Sequence, residues 1–322
     1  MNRSLWPGHP GGRLAEEGPS APALAVQVVL YRHGAASVAT LLDSVDRSVA
    51  HAQDRHAIGQ TTVLIGDCSP EPALNPEDAA AALGDRLHGR SRSRFSYRHF
   101  QSNRGSAGGN NDLFALSVSD LVLIINPDCY ASPNLVFELC RALDDAHAGI
   151  VEARQVPLEH PKEFDRRTGE TSWASGACML IRRAVVERIG GFDEESFFMY
   201  CDDVDFSWRA RLGGYRVVYR PTACVFHDKR LDPHGQVVAG EAEVYYSAEA
   251  SLMMAWKWSK PDVVEQLRQD LLHSGADPHR RAVATFDERR AGGRLPLPLD
   301  AEGRVAQFVG PHYAAHRFGY DD

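Results

Sequence analysis

Apolar and polar positions change period several times along the chain, and each change marks an element. Residues 23–31, ALAVQVVLY, form a Val-rich run of strand length, closed by Arg32, His33 and Gly34. Over 37–52 the spacing switches: Val38, Leu41, Leu42, Val45 and Val49 recur at three and four residues, which predicts one helical face. TTVLIGD (61–67) and FSYRHFQ (95–101) predict two more strands. A Gly/Asn-rich loop is expected at 103–111, then a helix to about residue 120. SDLVLIINPD (119–128) is the most apolar strand of the chain. Apolar strands alternating with helices predict an α/β fold, a mostly parallel sheet with helices on both faces.

Ser132 is placed to cap a helix with Pro133 at its first position, running to about His147. After Gly149 the pattern changes. GIVEARQVPLEH, TSWASGACMLIRR and YRVVYRPTACVFH read as longer, mixed strands. One acidic helix, 202–212, interrupts them and ends at Gly213-Gly214. Residues 241–273 are helical in period with a break at Pro261, and the rest is expected to be irregular. The predicted organisation is a flexible tail over 1–23, a main domain over 24–235, and a helical C-terminal extension with an irregular tail over 236–322.

The chain has 322 residues, 43% of them hydrophobic, which is enough for a sizeable core. With Lys+Arg at 35 and Asp+Glu at 43, the net charge of −8 argues against a nucleic-acid partner bound through a broad basic surface. No apolar run approaches the roughly 18 residues of a membrane span. The six cysteines are scattered without a C-x-x-C pair, and the N-terminus lacks the apolar run of a signal peptide. A cytoplasmic protein with reduced thiols is the expectation.

Ligands of open α/β sheets bind beyond the carboxyl ends of the strands. Tyr31-Arg32, Asp67, the 103–111 loop and Asn126-Pro127-Asp128 all fall there and outline one crevice. Asp67 can accept from a pyrimidine imide or a ribose hydroxyl, although an Asx turn before Pro70 would use the same residue. Arg104 can meet a phosphate, and the loop glycines can let backbone approach a ligand. Asp128 suits Mg²⁺ or Mn²⁺ beside a diphosphate, or else a turn. In Asp202-Asp203-Val204-Asp205, Asp205 can pair with Arg209, which leaves Asp202 and Asp203 without a partner in sequence. One of them is the candidate general base. His227, at a strand end, is either structural or a second metal ligand.

These pieces, in this order, resemble a family 2 glycosyltransferase of the GT-A (Rossmann-like) fold, most closely its rhamnosyltransferase-like members. The resemblance covers about residues 24–230. It is carried by Asp67-Cys68-Ser69, Asn103–Asn111, Asn126-Pro127-Asp128, Gly176–Arg183, Ile189–Tyr200, Asp202–Asp205, Arg211–Tyr215 and Val225–His227. Two positions depart from the family pattern: Asp202 replaces its usual Glu, and Tyr31-Arg32 replaces Tyr-Asn. The resemblance implies inverting transfer of a sugar from a UDP- or dTDP-linked donor to an acceptor hydroxyl. Asp203 would be the base, and Asp128 with His227 would hold a divalent Mg²⁺ or Mn²⁺. The nucleotide is expected against Leu30, Tyr31, Asp67, Arg104, Gly105 and Gly109, and the acceptor against Trp173 and Asp202.

The acceptor would be a glycan, a lipid-linked sugar or a small molecule. Lipid-linked acceptors imply peripheral contact with the inner face of a membrane. The aromatic stripe of 245–258 reads as core or homodimer contact before membrane anchor. A nucleotidyltransferase is the alternative enzyme class, but it would show a Gly-rich loop with Lys or Arg after the first strand. A sugar-nucleotide-binding module without catalysis is the other alternative. The joint presence of Asp128, Asp203 and His227 argues against it.

Overall fold

The computed structural model describes residues 21–74, 90–229, 231 and 238–315. Most of the expected N-terminal tail therefore lies outside the described residues. The strands are β1 (Leu24–Leu30), β2 (Thr61–Asp67), β3 (Ser93–His99), β4 (Leu121–Ile125), β5 (Cys129–Ala131), β6 (Ala148–Val156), β7 (Glu170–Thr171), β8 (Cys178–Arg182) and β9 (Arg216–His227). The described helices are α1 (Ala35–Asp54), α2 (Gly105–Phe114), α3 (Leu135–Ala142), α4 (Arg183–Ile189), α5 (Asp202–Leu212), α6 (Glu241–Lys257), α7 (Pro261–His273) and α8 (Asp277–Ala291).

One nine-stranded sheet runs in the order β3-β2-β1-β4-β8-β6-β9-β5, with β7 beside β9. Its first four strands are parallel, as expected. Beyond β4 the sheet is mixed. β8 is antiparallel to both β4 and β6, β6 and β9 are parallel, and β5 and β7 are antiparallel to β9. "Mostly parallel" therefore holds for one half only. The second half alternates in direction, and its one parallel pair, β6 with β9, is joined by a long connection that carries α4 and α5.

Side chains alternate between two cores, as a strand period of two requires. Leu24, Val26, Val28 and Leu30 of β1, with Leu121, Leu123 and Ile125 of β4, pack under α1 and α3. Ala25, Val122 and Ile124 face the other way, against α2, α4 and α5. Three helix predictions need correction. The 103–111 "loop" is mostly α2, and the helix after Ser132 spans only Leu135–Ala142 with Asn134 at its N-cap. The C-terminal stretch expected to be irregular contains α8. Leu252, Met253, Met254 and Trp258 of the extension are buried with Val204 and Trp208 of α5 in a third core. Among the described residues, no helix is long and apolar enough to cross a membrane.

Candidate active site

The strand ends meet at one level. Leu30 is in register with Asp67, and Asp67 with His99. Asp67 is wholly buried and accepts from Ser69 N (2.9 Å), Ala73 N (2.6 Å) and Tyr97 Oη (2.5 Å). Burial pushes its carboxyl up, but these donors outweigh burial and hold it below its ordinary value. The Asx-turn role is therefore realised, and the carboxylate ties β2 to the 69–73 segment and β3. Tyr31, just past β1, is 39% exposed.

The α2 glycines approach protein rather than leaving a gap for a ligand. Gly105 has φ +65, and a Cβ there would lie 2.0 Å from Phe198 O. A Cβ on Gly109 would meet Val29 at 2.7 Å. Arg104 is engaged by Asp112 (2.9 Å) and Glu194 (3.3 Å). In this structure its guanidinium is occupied by carboxylates, where a phosphate was expected.

Tyr200 (φ 67) and Cys201 (φ 56) are consecutive left-handed residues that turn the chain into α5. Such positions cost of order 1–3 kcal/mol each and persist where the surroundings impose them. They set Asp202 and Asp203 in the first turn of α5. Asp202 is buried and accepts from Ser106 Oγ of α2 at 2.7 Å. Half-buried Asp203 accepts from Gly176 N (2.7 Å) through Oδ2 and from Val204 N (2.8 Å) through Oδ1. Both aspartates thus have partners that sequence alone did not reveal. Burial and the neighbouring Asp203 push Asp202 up to about 7; Asp203 is also raised by burial, against the Gly176 and Val204 N–H groups and Lys162.

The metal candidates are adjacent through the β5–β9 pairing, which joins Cys129 to His227. Asp128 Oδ2 lies 3.3 Å from His227 Nε2, and His227 Nδ1 is 2.7 Å from Gln155 Oε1. Nδ1–H donating to Gln155 leaves the Nε2 lone pair facing the carboxylate, an arrangement that suits a cation. The ligating atoms of Asp128, Cys129 and His227 lie within 4.8 Å of one another. Burial pushes the Cys129 thiol well up, so it is the weakest donor. Asp128 is raised by burial; with Nε2 protonated instead, the His227 hydrogen bond and charge outweigh burial and hold the carboxyl below its ordinary value. Asn126 N donates to Ala177 O at 2.9 Å, so the Asp128 loop and the Gly176–Asp203 contact share one backbone junction.

Trp173 does not present an open ring. It is 4% exposed, with Lys162 Nζ 3.6 Å from its centroid and edge contacts from His160 and Tyr313. The core reading of Trp173 is the one this structure matches. Sequence reasoning passed over four polar residues near the site: His33, Gln155, Glu152 and Lys162. His33, lowered by burial, feels the charges of both Asp128 and Asp67. Its place two residues after a strand-terminal aromatic was the signal that could have found it. The other three carry none, because their partners are distant in sequence.

Residues 160–245 match the profile described as "Glycosyltransferase like family 2". The chain is 40% identical over 77 residues to an N-acetylglucosaminyl-diphospho-decaprenol L-rhamnosyltransferase from Mycobacterium tuberculosis, covering 23% of this chain and 25% of that protein. It thus spans about a quarter of the length of the first curated relatives it matches. A mannosyltransferase from Pyrobaculum calidifontis, solved with GDP-Man and Mn²⁺, superposes with a TM-score of 0.52 at 17% identity, over 89% of this chain and 79% of that one. GalNAc-T7, solved with UDP, GalNAc and Mn²⁺, gives 0.53 at 11% identity, over 86% and 60%. The structural likenesses speak for the fold alone. Residues 160–245 thus resemble a family 2-like glycosyltransferase, and the fold is that of these two solved glycosyltransferases.

Proposed function

We propose that this protein transfers a sugar from a nucleoside diphosphate sugar to an acceptor hydroxyl with inversion at the anomeric carbon. The observation that carries this is the pairing of a fixed, half-buried carboxylate, Asp203, with the Asp128–His227 pair across the Asn126–Ala177 junction. Asp203 Oδ2 is oriented by Gly176 N–H, and burial makes it more basic than a surface aspartate. It takes the acceptor hydroxyl proton as the oxygen attacks the anomeric carbon. The bond from that carbon to the diphosphate breaks, and the nucleoside diphosphate leaves with the electron pair. A single displacement needs one base and no covalent nucleophile, which agrees with the residues gathered here.

Asp128 and His227 would hold a divalent cation, which when bound supplies Lewis-acid stabilisation of the departing diphosphate. Asp128 Oδ2 and His227 Nε2, 3.3 Å apart, would be close enough to hold one ion between them. A mixed carboxylate and imidazole set favours Mn²⁺ over Mg²⁺, which prefers oxygen. The named relative supports L-rhamnose as the sugar and a lipid-linked diphosphosugar as the acceptor. Such an acceptor would bring the protein to a membrane surface.

The test is nucleoside diphosphate release from UDP-, dTDP- and GDP-linked sugars with Mn²⁺, with and without lipid-linked acceptors. Release should vanish in chelator. In Asp203→Asn it should fall at least about a thousandfold, roughly 4 kcal/mol of barrier, while calorimetric donor affinity stays within about threefold. Asp203→Asn turnover within about tenfold of the parent removes Asp203 as base. Donor binding without release in the presence of any acceptor leaves a binding module instead.

A further inference from the structure

Behind Asp203 lies a charge pair that the proposed chemistry does not use. Glu152 of β6 is 1% exposed, and Lys162, in the connection between β6 and β7, has 4% of its side chain exposed. Lys162 Nζ donates to Glu152 Oε2 and, at 3.0 Å, to Trp173 O. Glu152 in turn accepts from the Ser175 backbone. Between these two grips, Ala174 N donates to Ser207 Oγ of α5 at 3.0 Å. Immediately after Ser175 comes Gly176, whose N–H holds Asp203. A Cβ on Gly176 would lie 3.3 Å from Asp203 Cβ, so the strand of backbone and the carboxylate are in close contact. Consecutive residues 173–176 are thus pinned on one side by a buried ion pair and on the other by the helix that carries the base.

A buried ion pair is weak evidence for stability, because desolvation offsets most of its attraction. A role in positioning gives it a different reason to be there. We propose that the Lys162–Glu152 pair is the positioning device for Asp203, fixing the 173–176 backbone that aims its carboxylate and placing a buried positive charge behind it. The inference rests on Asp203 being the base. The groups that face Asp203 support the charge part. From its own turn come the Asp202 carboxyl and the Cys201 thiol, whose own ionisation Asp203 opposes. From the β6–β7 connection comes Lys162, which favours the ionised form of Asp203. Glu152 sits behind the strap and is itself raised by burial, against Lys162.

The experiment is a carbon-13 NMR titration of aspartate-labelled protein, with the Asp203 signal assigned by its loss in Asp203→Asn. Lys162→Met should raise the Asp203 midpoint by about one pH unit, and Lys162→Arg should leave it within ~0.3 unit of the parent. Where Lys162→Met does not fold, Lys162→Met with Glu152→Gln leaves no unpaired buried charge and should still raise the midpoint. In the transfer assay, the acidic limb of kcat should move upward by the same amount while donor KM stays within about twofold. A purely structural pair would lower melting temperature and leave the midpoint alone. An Asp203 midpoint within ~0.3 unit of the parent in every folded variant overturns the proposal. Wild-type protein without transfer activity would instead strike the base assignment, while the titration still decides whether Lys162 acts on Asp203.

Discussion

Two adjacent carboxyls at one helix start, Asp202 and Asp203, receive different surroundings, and this separates their work. Asp202 is the more enclosed, satisfied by a hydroxyl, while Asp203 is half-buried and held by backbone N–H groups. With Asp202 raised from 3.8 to about 7, the folded state binds a proton that the unfolded state releases. Stability therefore falls as pH rises from about 4 to about 7, the reverse of an ordinary paired aspartate. Asp202→Asn should stabilise the protein at pH 8 by on the order of 1–3 kcal/mol, with the gain shrinking to near zero below about pH 4. Urea titrations of both proteins at several pH values check this, and a pH-independent difference would show that Asp202 stays ionised. At this scale the sequence was legible in part. Three carboxylates in one turn are visible as a pattern, and Asp205 pairs with Arg209 as the i+4 spacing predicts. Lys162 and Glu152 were not visible, because lone charges in a sequence look the same whether they end at the surface or in a core.

Elements were legible where side-chain period and burial agree. β1 and β4 alternate between two cores, and α5 begins and ends where its acidic start and Gly213 place it. α2 is the instructive failure. Three glycines and three asparagines over 103–111 argue against a helix by propensity. The tertiary contacts override that preference, because only a helix without side chains on one face can lie this close to β1 and to Phe198. α8 was missed for a different reason: its buried set is only Ala282, Val283 and Phe286, too narrow a stripe to stand out. The account of α2 predicts the behaviour of Gly105. At φ +65, with Phe198 O 2.0 Å from a would-be Cβ, Gly105→Ala must move either α2 or the 198–201 turn. A loss of at least about 2 kcal/mol is expected, together with a fall in kcat, because Ser106 and the start of α5 shift with it. Unchanged urea midpoint and kcat would show that the contact relaxes freely.

Across the whole molecule, the C-terminal helices act on the site through α5. The aromatic stripe expected in a core or a dimer contact packs in a core: Trp258 stands edge-on to Trp208 at 5.1 Å, and Trp258 Nε1 donates to Asp205 Oδ1 at 3.1 Å. Lys257 Nζ lies 2.7 Å from Asp205 and 2.6 Å from Asp193, with 6% of its side chain exposed. The helix that carries Asp203 is thus clamped by the extension through a cation and an indole. A shared core of this kind should unfold in one step with the sheet. Near-ultraviolet circular dichroism, which reads Trp256 and Trp258 among others, and far-ultraviolet ellipticity should therefore give one midpoint. Lys257→Met leaves Asp193 without its cation and Asp205 with only Arg209 and Trp258, which should cost about 3–5 kcal/mol at neutral pH. Asp193 is raised by burial but lowered further by Lys257, so its folded value lies below 3.8 and its contribution is present above that pH. As pH falls through that lowered value the contribution is lost, so the Lys257→Met deficit should narrow in acid. A deficit that keeps its full size down to the pH at which the protein unfolds in acid would mean Lys257 acts by packing alone. Two separate wild-type transitions would mean that the extension and α5 do not share a core.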